Sequence, residues 1–232
     1  MRMNSPRRAG ALEEKGMKNK RILCFGDSNT WGWMPLKATR YPDDVRWTGV
    51  MAAELGEGYT VIEDGISGRL TATDDPYHPY FNGRTALPYS LLSSYPLDLV
   101  ILFLGTNDIK YTEPYRAANG IEALISDVRN ATVRFDSYSP MYEGEPKILV
   151  VLPTAIGPDI ARVNPTSDLR WAYERSLELG PAIRKMADLY GVETLNAADF
   201  AAPSETDAVH FTAEGHHALG VAMARKVREM LG

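Results

Sequence analysis

A three-layer α/β/α sandwich built on a five-stranded parallel sheet is the fold class this sequence predicts, and three observations predict it. Short apolar runs alternate with longer stretches of helical period through the body of the chain, the pattern of a mostly parallel sheet with helices on both faces. Two of the runs, Leu97-Asp-Leu-Val-Ile-Leu-Phe-Leu104 and Ile148-Leu-Val-Val-Leu152, are nearly unbroken in apolar character, as strands covered on both faces must be. No internal repeat and no low-complexity tract interrupts the alternation.

The elements follow in order. Arg21 to Phe25 reads as the first strand, and Asp44 to Leu55 as a helix closed by Gly56, because a glycine just past the last apolar residue supplies the helix stop. Tyr59 to Glu63 is the second strand, Thr85 to Ser94 a shorter helix, and Leu97 to Leu104 the third strand. Thr112 is expected to cap a long helix through about Val133, with Ile121, Leu124, Ile125 and Val128 as its buried stripe. Lys147 to Leu152 is the fourth strand. Ser167 or Asp168 is expected to cap the next helix, which runs to about Tyr190 and is kinked or interrupted at Gly180-Pro181, since an internal proline lacks a donor and crowds the preceding turn. Val192 to Asn196 is the fifth strand, and Thr212 caps a last helix packed through Leu219, Val221, Met223, Val227 and Leu231. Five strands with these helices suggest flavodoxin-like order, in which ligands bind beyond the carboxyl ends of the strands.

A chain of 232 residues with 44% hydrophobic content buries one good core, so residues 20–232 are expected to form a single domain. Residues 1–19 are polar, charged and without period, the composition of a flexible tail, and Met17 offers an alternative start. Acidic residues outnumber basic ones by 30 to 25, and outside Arg7-Arg8 and Lys18 to Arg21 the basic ones are scattered. That distribution argues against a nucleic-acid partner. The one cysteine, Cys24, lies inside an apolar run; it permits no intramolecular disulfide and no cysteine metal cluster, and a reducing cytoplasm is the expected compartment. No segment approaches the ~20 apolar residues of a membrane span, and Met1 to Lys20 lacks the apolar middle of a signal peptide.

Polar residues capable of chemistry collect where strands end. Asp27 and Ser28 follow the first strand, Gly65-Ile-Ser-Gly68 the second and Gly105-Thr-Asn-Asp108 the third, and Asp207-Ala-Val-His210 lies between the fifth strand and the last helix. A serine hydroxyl is a weak nucleophile until a base takes its proton and a third group fixes the base. His210 and Asp207 can supply both. A tetrahedral intermediate also needs donors, and Asn107 offers an amide while Gly68 and Ser28 offer backbone N–H groups. Each block alone has a plain structural reading. Gly-Asp-Ser-Asn favours a turn, Asn107 and Asp108 fit a turn and helix cap, Gly68 allows a positive φ, and Asp207 and His210 fit a solvated loop. A turn, however, has no need of Asn107 or His210, and the four blocks in order favour the site.

These four blocks, in this order, resemble the SGNH hydrolases, also called GDSL esterases and lipases. "RILCFGDSNTWGW", "RWTG", "LDLVILFLGTNDIK" and "VHFT" are similar to the bacterial arylesterase and acyltransferase branch. The resemblance implies Ser28 as nucleophile, His210 as base, Asp207 as its orienter, and an oxyanion hole of Ser28, Gly68 and Asn107. It also implies a flavodoxin-like fold, no cofactor and no metal, short-chain aryl or alkyl esters as substrates, acyl transfer beside hydrolysis, and assembly into a homo-oligomer. Asn29 stands where leucine gives the GDSL block its name, so the residue beside the nucleophile is expected to make the acyl border more polar. Trp31 and Trp33 are expected to wall the pocket; Thr106 and Val209, next to Asn107 and His210, complete the substrate-binding set. Lys110 and Tyr111 are weaker rim candidates, Asp27 is expected to brace its loop, and His78, His216 and His217 are assigned no role. Two rivals stand: a carbohydrate O-acetylesterase of the same fold, disfavoured slightly by the tryptophans, and, more remotely, a non-catalytic flavodoxin-like module that binds a small ligand.

Overall fold

The chain's apolar runs become the five strands of one parallel sheet. The structure, a computed structural model, describes residues 19–35, 37–135 and 137–232; the tail expected over residues 1–19 lies, but for Asn19, outside them. In chain order the first elements are β1 (Lys20–Gly26), the one-turn helix α1 (Ser28–Trp31), a small ribbon of β2 (Trp33–Met34) and β3 (Thr39–Arg40), α2 (Trp47–Leu55) and β4 (Tyr59–Gly65). Next come α3 (Gly83–Ser94), β5 (Leu97–Phe103), α4 (Pro114–Arg129) and the single turn α5 (Ala131–Arg134). The chain continues through β6 (Tyr142–Leu152), the single turn α6 (Ile160–Val163), α7 (Tyr173–Leu189), β7 (Glu193–Asn196) and α8 (Ala213–Leu231). The sheet order is β4-β1-β5-β6-β7.

Side chains of a strand alternate between faces, and here the alternation divides the core in two. Leu23, Phe25, Val100, Leu102, Ile148 and Val150 pack with α3, α4 and α7. Ile22, Cys24, Leu99, Ile101, Leu149 and Val151 pack with α2 and α8. Each face therefore has its own apolar layer, and the three-layer sandwich follows. Cys24 has no solvent exposure, and burial, reinforced by the charge of Glu63, pushes its thiol well above the usual range. Among the described residues no helix is long and apolar enough to cross a membrane.

Several boundaries differ from the sequence expectation. Residues 44–46 form a turn on Pro42, and α2 starts at Trp47. Thr112 does not cap α4: its hydroxyl donates to the Asp108 carbonyl, and the helix opens at Pro114 in its first position, where a missing N–H costs nothing. The long helix ends at Arg129, and a break at Asn130 separates it from α5. Ser167 accepts a bond from the Leu169 amide within a turn, Asp168 lies in the same turn, and α7 begins only at Tyr173. Gly180-Pro181 does not interrupt α7. Pro181 is on the exposed face, as is Leu177, whose carbonyl the proline leaves without its helical donor; Leu179 and Ile183 hold the opposite face in the core. Thr212 does cap α8, accepting from the Gly215 amide at 3.2 Å.

Candidate active site

The site begins where β1 ends. Asp27 closes the strand and opens α1: its carboxylate accepts from the Asn29 amide at 3.0 Å and its carbonyl from the Thr30 and Trp31 amides. One helical turn is thereby laid across the ends of β1 and β4. The approach is so close that a Cβ on Gly26 would lie 2.0 Å from Thr30 Oγ1, and one on Gly65 would lie 2.2 Å from the Trp31 amide nitrogen. Only glycine fits at both positions, and Ser28 is held at the sheet's head. Burial pushes the Asp27 carboxyl up to about 6 against the Asn29 N–H and the charges of His210, Lys110 and Arg69.

The loop before α8 brings a base to this serine. Asp207 Oδ1 accepts from the amides of Val209 and His210, both at 3.0 Å, while Oδ2 lies 2.6 Å from His210 Nδ1. His210 Nε2 lies 2.9 Å from Ser28 Oγ. A carboxylate can only accept, so Nδ1 donates to Asp207, and Nε2 is the ring nitrogen that faces the hydroxyl. Burial would raise the Asp207 carboxyl, yet the His210 ring bond and charge and the two amides outweigh it and hold it below the usual range. The turn needs Ala208 at φ +62°, a region costly for a residue with a Cβ. Two backbone bonds hold it there, from Ala208 N–H to Ser204 at 2.8 Å and from Gly157 N–H to Ala208 at 2.7 Å.

Donors converge from two further strand ends. Gly68 has φ +90°, and a Cβ there would lie 2.6 Å from the Phe81 ring. The N–H groups of Ser28 and Gly68 have no partner among the described residues. The Asn107 amide donates to the Arg69 carbonyl at 3.1 Å and keeps its second N–H. Asp108 locks these loops together by accepting from the Thr71 amide and, at 2.5 Å, from its hydroxyl. Burial pushes the Asp108 carboxyl up to about 6, with the Thr71 bonds opposing. Beneath them the buried Arg69 guanidinium bonds the Gly26 and Asp64 carbonyls and the Asp64 carboxylate, tying the ends of β1 and β4.

These groups border a cleft of about 160 Å³. Of the residues expected there, Ser28, Trp33, Gly68, Thr106, Asn107, Val209 and His210 line it; Asp207 stands behind His210. Asn29 and Trp31 do not line it. Successive helical residues diverge by roughly 100°, so Asn29 turns away from the Ser28 side and accepts from the Phe211 amide at 3.3 Å. Trp31 stacks on Arg40, 5.2 Å from ring centre to guanidinium carbon, and only Trp33 reaches the His210 ring, at 5.5 Å. Tyr111 bonds Asp75 and is absent from the cleft wall, whereas Lys110 lines it. Ser67, Asn164, Ser167, Asp168 and Leu169 also line the cleft. The segment 164–169 carries no motif; its only sequence signal was its place after the fourth strand.

Size alone does not locate this site. A wider hollow of about 450 Å³ opens at the opposite, amino end of β7, beside the middle of β6 with Arg129, Lys147 and Lys226, and no serine, threonine, cysteine or histidine lines it. His216 is fully buried, accepts from the Trp47 amide at 3.3 Å, and is pushed down to about 4 by burial and the charges of His210 and Arg46; His217 is exposed. Among the described residues no cluster of three or more histidine, cysteine or acidic side chains could hold a metal ion.

Comparison with known proteins places the chain among its relatives. A sequence profile of the GDSL-like lipase/acylhydrolase family matches residues 24–218. A carbohydrate acetylesterase from Sinorhizobium meliloti is 41% identical, with 91% of this chain and 100% of that one covered at a TM-score of 0.84. The inhibitor-bound aryl esterase of M. smegmatis is 37% identical over the same shares, again at 0.84. A search of curated proteins returns no match.

Proposed function

We infer the reaction of this site from a fixed premise: the chain belongs to the GDSL-like lipase/acylhydrolase family and is a carboxylic ester hydrolase. The proposal is a serine esterase of short-chain aryl or alkyl esters, with Ser28, His210 and Asp207 as its catalytic residues. One observation carries it: His210 Nε2 lies 2.9 Å from Ser28 Oγ with Asp207 behind the ring, in the cleft that Gly68 and Asn107 also line. His210 takes the hydroxyl proton as Ser28 Oγ bonds to the ester carbonyl carbon. The N–H groups of Ser28 and Gly68 and the free N–H of Asn107 receive the developing oxyanion. The carbon–oxygen bond to the alcohol then breaks, and the alcohol leaves with the proton from His210. Water, deprotonated by the same ring, releases the acyl group; an alcohol in its place turns hydrolysis into transfer.

The cleft's 160 Å³ is about half the volume at which pockets begin to engulf drug-sized ligands, ~300 Å³. It suits a short acyl group. Ser28→Ala is expected to lower turnover of p-nitrophenyl acetate by ~10⁶ and Asn107→Ala by ~10² to 10³. Wild-type rates in Ser28→Ala, or no labelling of Ser28 by a fluorophosphonate, would overturn the assignment. A second reading, a carbohydrate O-acetylesterase, draws on the wall: Trp31 stands outside, and Ser67, Thr106, Lys110, Asn164, Ser167 and Asp168 set polar side chains along a cleft whose surface is otherwise apolar. Acetylated sugars assayed beside phenyl acetate separate the two.

A further inference from the structure

Lys110 is the one lysine or arginine lining the cleft among the described residues, and it is out of place for a purely apolar ester site. Its backbone N–H closes the turn on Asn107, but its ammonium has neither a hydrogen bond nor an ion pair with any described residue. Burial disfavours its charge, and four carboxylates favour it: Asp168 most strongly, then Asp75, Asp27 and Asp108. Asp75 is already engaged by Tyr77, His78 and Tyr111, and Asp108 by Thr71. Asp168 is different. It is exposed at the cleft and, like Lys110, has no direct partner among the described residues. A donor and an acceptor without a partner among the described residues thus line the same cleft, beside Asn164 and Ser167.

We propose that Lys110 and Asp168 form a subsite for a neutral, hydroxyl-bearing alcohol moiety of the ester, Lys110 donating to one oxygen and Asp168 accepting from a neighbouring hydroxyl. The sign of the surroundings selects neutral over anionic groups. One ammonium is set among Asp27, Asp75, Asp108 and Asp168, so a carboxylate on the substrate meets net negative charge, whereas a hydroxyl uses both members at once. Loss of a charge-assisted bond to a hydroxyl costs more than loss of apolar contact of the same size, because the site's own polar groups are then left unpaired.

The inference rests on the esterase reading, and the test keeps the two apart. Enzyme is titrated with a fluorophosphonate so that rates refer to active sites, and kcat/KM is measured for phenyl acetate, a monoacetylated glucose and the anionic 4-acetoxybenzoate. Failure of wild-type enzyme on all three would sink the esterase reading itself. With that activity present, Lys110→Met is expected to lower the ratio of sugar ester to phenyl acetate by ~10- to 100-fold, mainly through KM, with partial recovery in Lys110→Arg. Asp168→Asn is expected to lower the same ratio and to raise the relative rate on 4-acetoxybenzoate. A ratio unmoved in both Lys110→Met and Asp168→Asn, or equal losses on every ester, would overturn the subsite.

Discussion

Two segments of this chain share the spelling Asp-x-x-His and fold the same local turn. In each, one carboxylate oxygen accepts from the backbone amides two and three residues on: Asp207 from Val209 and His210 at 3.0 Å, Asp75 from Tyr77 and His78 at 2.9 Å. Beyond the turn they part. Asp207 uses its second oxygen to grip His210 Nδ1 at 2.6 Å, while Asp75 gives its second oxygen to the Tyr111 hydroxyl and meets His78 Nδ1 only at 3.2 Å. The His210 side chain is 14% exposed and faces Ser28; the His78 side chain is 46% exposed and packs on Phe81 and Tyr80. An aspartate three residues before a histidine orients the ring by local chemistry alone. Only the fold of the whole chain supplies a serine 182 residues away.

The largest test of this contrast removes the rings. His210→Ala is expected to lower kcat on p-nitrophenyl acetate by ~10⁶, and His78→Ala by less than about threefold; comparable losses would erase the distinction. The carboxylates come next. Asp207→Asn should cost ~10⁴ in kcat by disturbing the tautomer of His210, whereas the main effect of Asp75→Asn should appear in the melting temperature. A third test exchanges the residue after the aspartate, Pro76 in one segment and Ala208 in the other. Proline cannot reach φ +62°, so Ala208→Pro should displace His210 and lower kcat/KM by at least ~10², while Ala208→Gly keeps the rate. The smallest test is the acid limb of stability. Both carboxyls are held below the usual range, Asp75 because its amide, hydroxyl and ring bonds overcome burial. Groups depressed in this way stabilise the fold above about pH 4 and lose that contribution as pH falls through their folded values. In Asp75→Asn and in Asp207→Asn alike, the melting temperature should therefore decline less steeply below about pH 4 than in the wild type.

What could be read from the sequence follows the same division. The central strands β1, β5 and β6 were legible because their apolar runs are set by burial on both faces, and α4's stripe of Ile121, Leu124, Ile125 and Val128 because packing sets its period. The starts of α4 and α7 were not. Thr112, Ser167 and Asp168 are residue types that bond nearby backbone whether or not a helix follows, and here they serve turns. At the cleft, Ser28, Gly68, Asn107 and His210 stood out because four blocks end on one edge of the sheet. Asn29 was visible as a residue but not in its direction, which depends on α1 being a helical turn. Asn164, Ser167, Asp168 and Leu169 reach the cleft through a loop path that no spacing within the loop records.

Cys24 gives this chain a practical property. It is the only thiol in the sequence, it lies sealed in β1, and its ionisation is suppressed, so it should stay silent toward electrophilic dyes while the protein is folded. A cysteine placed at the exposed Thr166 would then be the sole reactive sulfhydryl. A fluorophore attached there would report, free of background, whether the 164–169 wall shifts as an ester enters.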